Sequence, residues 1–317
     1  MKILITGVHG FVGSNLVEAL KREHTIYGLD IISPVKDGVN YTFSWDCLDH
    51  DGSLPEVDAI IHLAGKAHDT KNKSAAEVYF KVNTELTKKI YDYYLKSKAK
   101  KFIFFSTAKA AADKVDGVLM EDVVPAPVGP YGESKIAAER YILDSVNGDG
   151  FKVNGSDKQV YIFRPCMIHG PGNKGNLNLL YGVVKKGIPW PLGAFENRRT
   201  FTSVENICFA VNGVLTKNVP SGIYNMGDDE ALSTNELIEE ICKSLGKKAH
   251  IWRLPKGLMT GFAKVGGWLH LPLNPDRLQK LTENYVSSNA KIKAALGVEK
   301  MPVDAREGLK ATLESFK

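Results

Sequence analysis

The amino-terminal segment constrains the fold more than any other part of the chain. Lys2–Thr6 predicts a strand, and a helix is predicted over 14–22. Between them stand Gly7, Gly10 and Gly13. Glycines there permit a tight turn and a close approach of the backbone to a pyrophosphate, and free N–H groups at a helix start bind phosphate. The loop therefore predicts a dinucleotide site, with an ordinary turn before a helix as the alternative.

Predicted strands and helices alternate through the first half of the chain. Further strands are predicted at Thr25–Leu29, 59–63, Lys101–Phe105 and 160–163, and further helices at 75–96 and 131–144. In the helix of 75–96, one buried stripe is predicted from Val78, Val82, Leu86 and Ile90. Continuous apolar strands between amphipathic helices indicate a parallel sheet covered on both faces. The predicted fold class is α/β, a Rossmann-type doubly wound parallel sheet with a smaller C-terminal substrate domain.

Proline and glycine become frequent after Pro165, which indicates a second unit. Residues 1–165, with a return segment at about 200–228, are predicted to form the dinucleotide-binding domain. Residues 166–199 and 229–317 are predicted to form the smaller domain. The remaining predicted elements are an exposed polar loop at 147–157 and helices at 177–186, 234–245 and 289–296.

Charge and cysteine content exclude several function classes. The formal net charge is +5 and the basic residues are scattered, which argues against a nucleic-acid partner and suits a small anionic ligand. The four cysteines lie far apart, so neither a disulfide framework nor a metal site is predicted, and Cys166 is interpreted as a small apolar pocket residue. Because no secretory signal and no long uncharged apolar stretch occur, the protein is predicted to be cytoplasmic and without a membrane span.

Two acidic residues are candidates for the adenosine half of a dinucleotide. Asp30 ends the second predicted strand, seventeen residues after Gly13, where a carboxylate would bond the ribose hydroxyls and repel a 2′-phosphate. Ile31 and Ile32 follow with no arginine alongside, so NAD is favoured over NADP. A strand-end turn is the alternative role for Asp30. Asp46 is a candidate for the adenine amino group, or else a solvated loop acid.

Hydride transfer at a secondary alcohol needs a base that takes the hydroxyl proton, and a tyrosine suits this role when a nearby lysine lowers its pKa. A tyrosine and a lysine four residues apart on a helix share one face. Three such pairs occur: Tyr94/Lys98, Tyr131/Lys135 and Tyr181/Lys185. The first is interpreted as a solvated helix end, and the third lies in the second unit. Tyr131 instead begins a helix twenty-four residues after Thr107, which follows an apolar strand at the edge where such sheets bind ligands. Tyr131 and Thr107 are therefore expected to converge over the nicotinamide.

A set of motifs spreads over nearly the whole chain. It comprises Thr6-Gly7-x-x-Gly10-x-x-Gly13, Asp30, His62-Leu63-Ala64-Gly65, Asn83, Ser106-Thr107, Tyr131-Gly-Glu-Ser-Lys135, Arg164-Pro165, His169-Gly170-Pro171-Gly172 and Arg199-Thr-Phe-Thr-Ser-Val204. By these motifs the chain resembles the extended short-chain dehydrogenase/reductases, specifically the NAD-dependent nucleotide-sugar epimerase/dehydratase group. The resemblance implies an enzyme with NAD as its cofactor, and a homodimer paired through the helices at 75–96 and 131–144.

The resemblance also implies a role for each matching residue. Tyr131 is expected to be the catalytic base, Lys135 to tune it and bond the nicotinamide ribose, and Thr107 to hold the reacting oxygen. The residues expected to contact NAD are Gly7, Gly10, Phe11, Val12, Gly13, Asp30, Asp46, Leu63, Ala64, Gly65, Asn83, Ser106, Tyr131, Lys135 and Pro165. Those expected to contact the substrate, a UDP-linked nucleotide sugar, are Lys66, His68, Thr107, Met167, Asn176 and Arg199.

Departures from the family pattern bear on the reaction. UDP-galactose 4-epimerases carry two aromatics and an asparagine after the strand arginine, where this chain has Pro165-Cys166-Met167. For a second diphosphate arginine, Arg277 and Lys280 are only candidates. In 4,6-dehydratases an Asp-Glu pair follows the catalytic threonine, where this chain has Ala108-Lys109, so a dehydratase is disfavoured.

Two enzyme activities and one binding role remain open at this point. The favoured function is an NAD-dependent UDP-hexose or UDP-N-acetylhexosamine 4-epimerase acting through a 4-keto intermediate. The alternative enzyme is an NAD(P)H-dependent UDP-4-keto-6-deoxy-hexosamine 4-reductase. The alternative without catalysis is a dinucleotide-binding sensor module.

The most apolar stretch of the second half spans 255–275. Four of its apolar residues fall at helical spacing: Leu258, Phe262, Val265 and Leu269. Lys256 and Lys264 lie off that line, and these basic flanks with Trp268 suit a helix lying on a membrane surface. The favoured interpretation is a helix packed on the substrate domain.

Overall fold

Seven parallel strands form the main sheet of the structure, a computed structural model that describes residues 1–50, 52–67, 75–147, 151–154, 156–173, 175–269 and 273–317. The described part of the chain contains fourteen strands, of which seven belong to this sheet. In chain order all fourteen are β1 (Lys2–Thr6), β2 (Thr25–Leu29), β3 (Val39–Phe43), β4 (Ala59–His62), β5 (Lys101–Phe105), β6 (Val118–Leu119), β7 (Val146–Asn147), β8 (Lys152–Val153), β9 (Gln159–Pro165), β10 (Met167–His169), β11 (Arg199–Ser203), β12 (Gly222–Met226), β13 (Ala231–Leu232) and β14 (Val286–Ser287).

The strand order of the main sheet is β12-β9-β5-β4-β1-β2-β3, and every neighbouring pair is parallel. The chain moves outward in one direction from β1 and in the other from β4. A crevice therefore opens at the carboxyl ends of these two strands, where Gly7 and Leu63 lie. The predicted doubly wound α/β fold is confirmed.

Three smaller sheets occur in the described part of the chain. β10, β11 and β13 form a three-stranded sheet, β14 pairs with β6, and β7 pairs with β8. The last pair is a short antiparallel hairpin within the stretch predicted as a plain loop, so that prediction is wrong in part. The edge strand β3 was not predicted, because its residues Val-Asn-Tyr-Thr-Phe lack the continuous apolar run of the inner strands.

Twelve α-helices accompany the strands in the described part of the chain. They are α1 (Phe11–Leu20), α2 (Ala76–Tyr79), α3 (Leu86–Lys96), α4 (Ala108–Ala111), α5 (Pro130–Leu143), α6 (Asn176–Lys185), α7 (Val204–Thr216), α8 (Thr234–Ser244), α9 (Lys256–Trp268), α10 (Pro275–Thr282), α11 (Ala290–Leu296) and α12 (Ala305–Glu314). Within the described residues, none of the helices combines the length and apolar character needed to cross a bilayer.

A π-helical turn, Phe80–Glu85, joins α2 to α3 and changes which face is buried. The predicted stripe is wrong in part: Val78 is exposed and Val82 and Leu86 are half-buried, whereas Ile90 is buried as predicted. The other buried residues are Tyr79, Asn83, Thr84, Thr87, Tyr91 and Tyr94. A π-helical turn takes in an extra residue and so rotates the side chains around the helix axis. Tyr94, predicted to be solvated, is fully buried, and its hydroxyl donates to the carbonyls of Lys100 and Gln159.

Among the described residues, three large apolar cores and a small one around Cys166 and Tyr285 hold these elements together. α1, α7 and α11 cover one face of the main sheet. α3 and α5 cover the other face. A separate core lies among α6, α8, α9 and α12 in the carboxyl-terminal part.

Candidate active site

The glycine loop joins β1 to α1 and leaves space at the start of the helix. Gly7 adopts φ +70°, and a Cβ on it would lie 2.9 Å from the backbone nitrogen of Ala64. A Cβ on Gly13 would overlap the Gly7 carbonyl oxygen. Gly10 precedes the first helical residue, Phe11, and no described side chain caps the helix, so its first N–H groups remain available to an anion. This geometry fits a dinucleotide diphosphate.

Asp30 follows β2 and lies beside the glycine loop. Its carboxylate accepts hydrogen bonds from the backbone N–H groups of His9 at 3.1 Å and Ile31 at 2.8 Å. These bonds fix the carboxylate at the carboxyl end of the sheet, where the predicted ribose contact requires it. Asp46 is exposed in the short 3-10 turn Trp45–Asp49 that follows β3.

Lys36 reaches the same region and was missed by the sequence analysis. Its Nζ donates to the Val8 carbonyl at 3.2 Å and to the Ser14 hydroxyl at 2.5 Å. Partial burial lowers the pKa of Lys36, and the charge of Asp30 opposes that shift. The lysine lies six residues after Asp30 in an irregular segment, so no spacing rule could have placed it next to the loop.

The residues after β4 are held against the glycine loop by Thr6. The Thr6 hydroxyl oxygen accepts hydrogen bonds from the N–H groups of Leu63 at 3.2 Å and Ala64 at 3.1 Å, and lies 2.6 Å from Nδ1 of His62. His62 is fully buried, and burial holds its pKa well below the usual range. The imidazole is therefore neutral and acts as a structural spacer under the site.

Asn83, in the π-helical turn, shapes the next residues of this segment. Its Oδ1 accepts from the N–H of Lys66 at 2.7 Å, and its Nδ2 donates to the Lys66 carbonyl at 3.1 Å and to the Ser134 hydroxyl at 2.9 Å. A Cβ on Gly65 would lie 3.0 Å from both Asn83 Oδ1 and Lys135 Nζ. The side-chain bonds of Asn83 thus go to the protein. His68, predicted to contact the substrate, lies outside the described residues.

Thr107 and Tyr131 meet at the carboxyl end of β5, as the sequence analysis expected. Burial raises the pKa of the Tyr131 phenol, and a hydrogen bond with Thr107 acts in the opposite direction. Lys135 lies one turn further along α5, where its Nζ donates to the Phe105 carbonyl at 2.8 Å. Burial lowers the pKa of Lys135 to about 8, and the carboxylate of Glu139 opposes this shift.

Glu139 continues the same face of α5 and was not singled out from the sequence. Its carboxylate is fully buried and pairs with Arg164, whose Nη2 lies 2.6 Å from Oε2 and whose Nε lies 3.1 Å from Oε1. The Ser106 hydroxyl donates to the same carboxylate. The four-residue spacing of Tyr131, Lys135 and Glu139 was the available signal, since it places all three on one helix face.

Arg199, a substrate-binding candidate of the second unit, lies at the start of β11. Its Nη1 donates to the Lys280 carbonyl at 2.6 Å, and burial lowers the pKa of its guanidinium while Glu283 opposes the shift. Burial also raises the pKa of the nearby Cys166 thiol to about 12, which keeps it protonated and unsuited to nucleophilic attack. The other two substrate candidates are Met167, half-buried in β10, and Asn176, exposed at the start of α6. Pro165, a cofactor candidate, lies at the end of β9.

Known proteins resemble this chain in sequence over almost its full length. A "UDP-glucose 4-epimerase" from Vibrio cholerae is 29% identical, with 99% of this chain and 95% of the relative aligned. An "N-acetyl-alpha-D-glucosaminyl-diphospho-ditrans,octacis-undecaprenol 4-epimerase" from Escherichia coli O157:H7 is 28% identical, with 92% and 84% aligned.

Solved structures share the fold. MoeE5 in complex with UDP-glucose and NAD superposes with a TM-score of 0.76 at 21% identity, covering 99% of this chain and 98% of that chain. UDP-glucuronic acid 4-epimerase from Bacillus cereus in complex with NAD superposes with a TM-score of 0.74 at 22% identity, covering 100% and 98%. At such identities the likeness establishes the fold.

The family assignment covers most of the chain and includes every element of the crevice described above. The family model of the NAD dependent epimerase/dehydratase family matches residues 3–227. The predictions of an enzyme and of NAD as its cofactor are thereby confirmed. This protein belongs to the NAD dependent epimerase/dehydratase family.

Proposed function

We propose that this enzyme is a 4-epimerase of UDP-hexoses or UDP-N-acetylhexosamines that works through a 4-keto intermediate. The observation that carries the proposal is the pairing of Thr107 with Tyr131 at the carboxyl end of β5. A sugar hydroxyl held between them would pass its proton to the phenolate as hydride leaves the same carbon. The Vibrio cholerae relative, named as a UDP-glucose 4-epimerase, supports this reaction.

The residues of the crevice fit a bound dinucleotide. Gly7 and Gly13 leave no room for a side chain, the first turn of α1 offers N–H groups to the diphosphate, and Asp30 offers a carboxylate to the ribose. When bound, NAD supplies a hydride acceptor and, in its oxidised form, a positive charge that favours the phenolate form of Tyr131. The proposal also assigns contacts with the cofactor to Leu63, Ala64, Gly65, Ser106 and Pro165.

The catalytic residues have separate tasks in this proposal. Tyr131 accepts the proton of the sugar hydroxyl and later returns it, and Thr107 holds the reacting oxygen. Lys135 binds the nicotinamide ribose and adds a positive charge near the phenol. Because burial raises the Tyr131 pKa, that charge would favour the proton-accepting form.

The nucleotide sugar is assigned to the second unit, residues 166–199 and 229–317. Arg199 is proposed to bind the diphosphate, since its guanidinium lies near Cys166. Cys166 directly follows β9, the neighbour of β5 in the main sheet, and Thr107 lies just after β5. Lys66, Met167 and Asn176 complete the proposed contacts. The dinucleotide is assigned to 1–165 with the return segment at about 200–228.

A homodimer paired through α3 and α5 is part of the proposal. The exposed apolar side chains of Val78 and Phe80 on the adjoining helical turns support a contact there. Ile136, Ala138 and Ile142 of α5 are buried within their own chain and do not contribute. Light scattering at micromolar concentration is expected to give the dimer mass, and a purely monomeric protein would contradict the pairing.

The decisive experiment follows the cofactor and the product together. The purified enzyme is denatured to quantify released NAD, and fresh enzyme is incubated with UDP-N-acetylglucosamine or UDP-glucose without added cofactor. A 4-epimerase returns its hydride in every cycle, so we expect bound NAD and conversion to the galacto form. The same assay with a polyprenyl-diphosphate N-acetylglucosamine tests the substrate named for the Escherichia coli relative.

A 4-keto reductase is the second candidate, because the same Thr107, Tyr131 and Lys135 would serve it. A relative from Pseudomonas aeruginosa at 26% identity is named as a GDP-6-deoxy-D-mannose reductase. Failure to epimerise any of these sugars, together with NADH or NADPH consumption on a UDP-4-keto-6-deoxy sugar, would favour the reductase. Binding of NAD without turnover of either class would favour a sensor module.

A further inference from the structure

α9 presents two different apolar faces. Its inner face packs into the carboxyl-terminal core through three buried residues: Met259, Ala263 and Gly266. The helix therefore packs on the carboxyl-terminal part of the chain, as the favoured interpretation expected, while the four apolar residues at helical spacing lie on its outer face. Their exposed fractions are 47% for Leu258, 55% for Phe262, 53% for Val265 and 52% for Leu269.

The outer face forms one continuous apolar line. Positions 258, 262, 265 and 269 lie about 40° or less from a common direction around a helix of 100° per residue. Trp268, 81% exposed, is the last residue of α9 and lies about 90° around the helix axis from this line. Large side chains exposed side by side in this way mark an interaction surface, whereas isolated exposed ones do not.

The segment of sequence that contains this line is basic. Between residues 247 and 281 the sequence contains seven lysines and arginines and one aspartate, although the whole chain has a net charge of only +5. Lys256 and Lys264, on α9 itself, are both exposed. The segment that carries the apolar line therefore has a net positive charge, and its electrostatic complement is an anionic surface.

We propose that α9 binds the surface of an anionic phospholipid membrane, with the outer line inserted at the boundary between headgroups and acyl chains. Phenylalanine, leucine and tryptophan favour this boundary, and lysines beside them reach anionic headgroups. A second copy of the chain is a poorer partner, because pairing would bring together two segments that each contain seven basic residues and one aspartate. The helix has 13 residues, a length that suits lying in the interface plane.

The test is co-sedimentation of the full-length protein with vesicles of phosphatidylcholine containing 30% phosphatidylglycerol, compared with pure phosphatidylcholine. We expect binding to the anionic vesicles, and a blue shift of tryptophan fluorescence that Trp268→Phe abolishes. Phe262→Ser is expected to weaken partitioning by about tenfold, and Lys256→Glu and Lys264→Glu by about fivefold or more each. Val124→Ser, at another exposed valine, is the matched control and should bind as the wild type does.

Each outcome decides the proposal. Circular dichroism and thermal melting verify that the variants fold, since all of the altered side chains are exposed. Failure of the wild type to sediment with anionic vesicles would overturn the proposal. Vesicle binding by Phe262→Ser equal to that of the wild type would also overturn it. If the wild type does not bind vesicles and Phe262→Ser has a smaller oligomer mass, the outer face belongs to a contact with a second copy. Vesicle binding requires no substrate, so the result is independent of the proposed epimerase activity.

Discussion

Arg164 and Glu139 form an ion pair in which Nη2 lies 2.6 Å from Oε2 and both side chains are at most 2% exposed. The pair connects β9 to α5 beneath the site. Its carboxylate also accepts a hydrogen bond from the Ser106 hydroxyl, next to Thr107. The pair therefore joins the strand end that carries Thr107 to the helix that carries Tyr131.

Removing the Glu139 charge tests this connection. Glu139→Gln leaves the Arg164 guanidinium buried without its counter-charge, and we expect a loss of about 3–5 kcal/mol in the free energy of unfolding, measured by urea denaturation. Glu85→Gln is the control, because Glu85 is 60% exposed and pairs with Lys88 at the surface. Its cost should be about 1 kcal/mol or less. Equal costs for the two variants would show that the buried pair has no special role.

Loss of the Tyr131 hydroxyl should separate catalysis from cofactor binding. Tyr131→Phe is expected to lower turnover by about two orders of magnitude or more, the scale for removing an acid–base group, while NAD remains bound. Tyr181→Phe is the matched control: Tyr181 is also buried, and its hydroxyl has no hydrogen-bond partner among the described residues. Near-normal turnover in Tyr131→Phe would assign the base elsewhere.

The pKa of Lys135 predicts how stability changes with pH. Burial lowers this pKa from 10.5 to about 8, so the folded state loses the proton before the unfolded state does. Below about pH 8 Lys135 is protonated in both states, and the full cost of burying its charged ammonium, about 3 kcal/mol, opposes folding. As the pH rises from about 8 to 10.5 this cost is relieved and stability increases.

A comparison with Lys135→Met isolates this effect, because the other titrating groups are shared. The free energy of unfolding of the wild type minus that of Lys135→Met should rise between about pH 8 and pH 10.5. Urea denaturation at several pH values measures it. A difference that stays flat, or falls, contradicts the lowered pKa.

Lys36 should determine how much the affinity for NADP rises in Asp30→Ala. Asp30→Ala takes away the carboxylate that repels a 2′-phosphate and leaves the Lys36 ammonium beside the loop. We expect the preference for NAD over NADP to shrink by about tenfold in calorimetric titration. The double variant Asp30→Ala/Lys36→Ala should lose the gained NADP affinity. If the single and double variants bind NADP equally, Lys36 has no part in the selection.

Local sequence patterns were sufficient for the central elements. The Gly7-Gly10-Gly13 loop between a strand and a helix, and the apolar runs at β1, β2 and β5, are properties of consecutive residues, because backbone conformation and strand burial act over short distances. The position of Thr107 after β5, and of Tyr131 at the start of α5, followed from the rule that parallel strands direct their carboxyl ends to one edge.

Only the tertiary structure decided which side chains meet across the fold. Lys36 reaches Val8 and Ser14 from an irregular segment, and Glu139 finds Arg164 from a separate strand. The π-helical turn after α2 left Val78 exposed although the spacing predicted its burial, and α9 packs on the core through Met259 and Ala263 while its regularly spaced apolar residues face outward. Such pairings depend on how elements approach one another in three dimensions, and periodicity within one element carries no information about the partner that covers it.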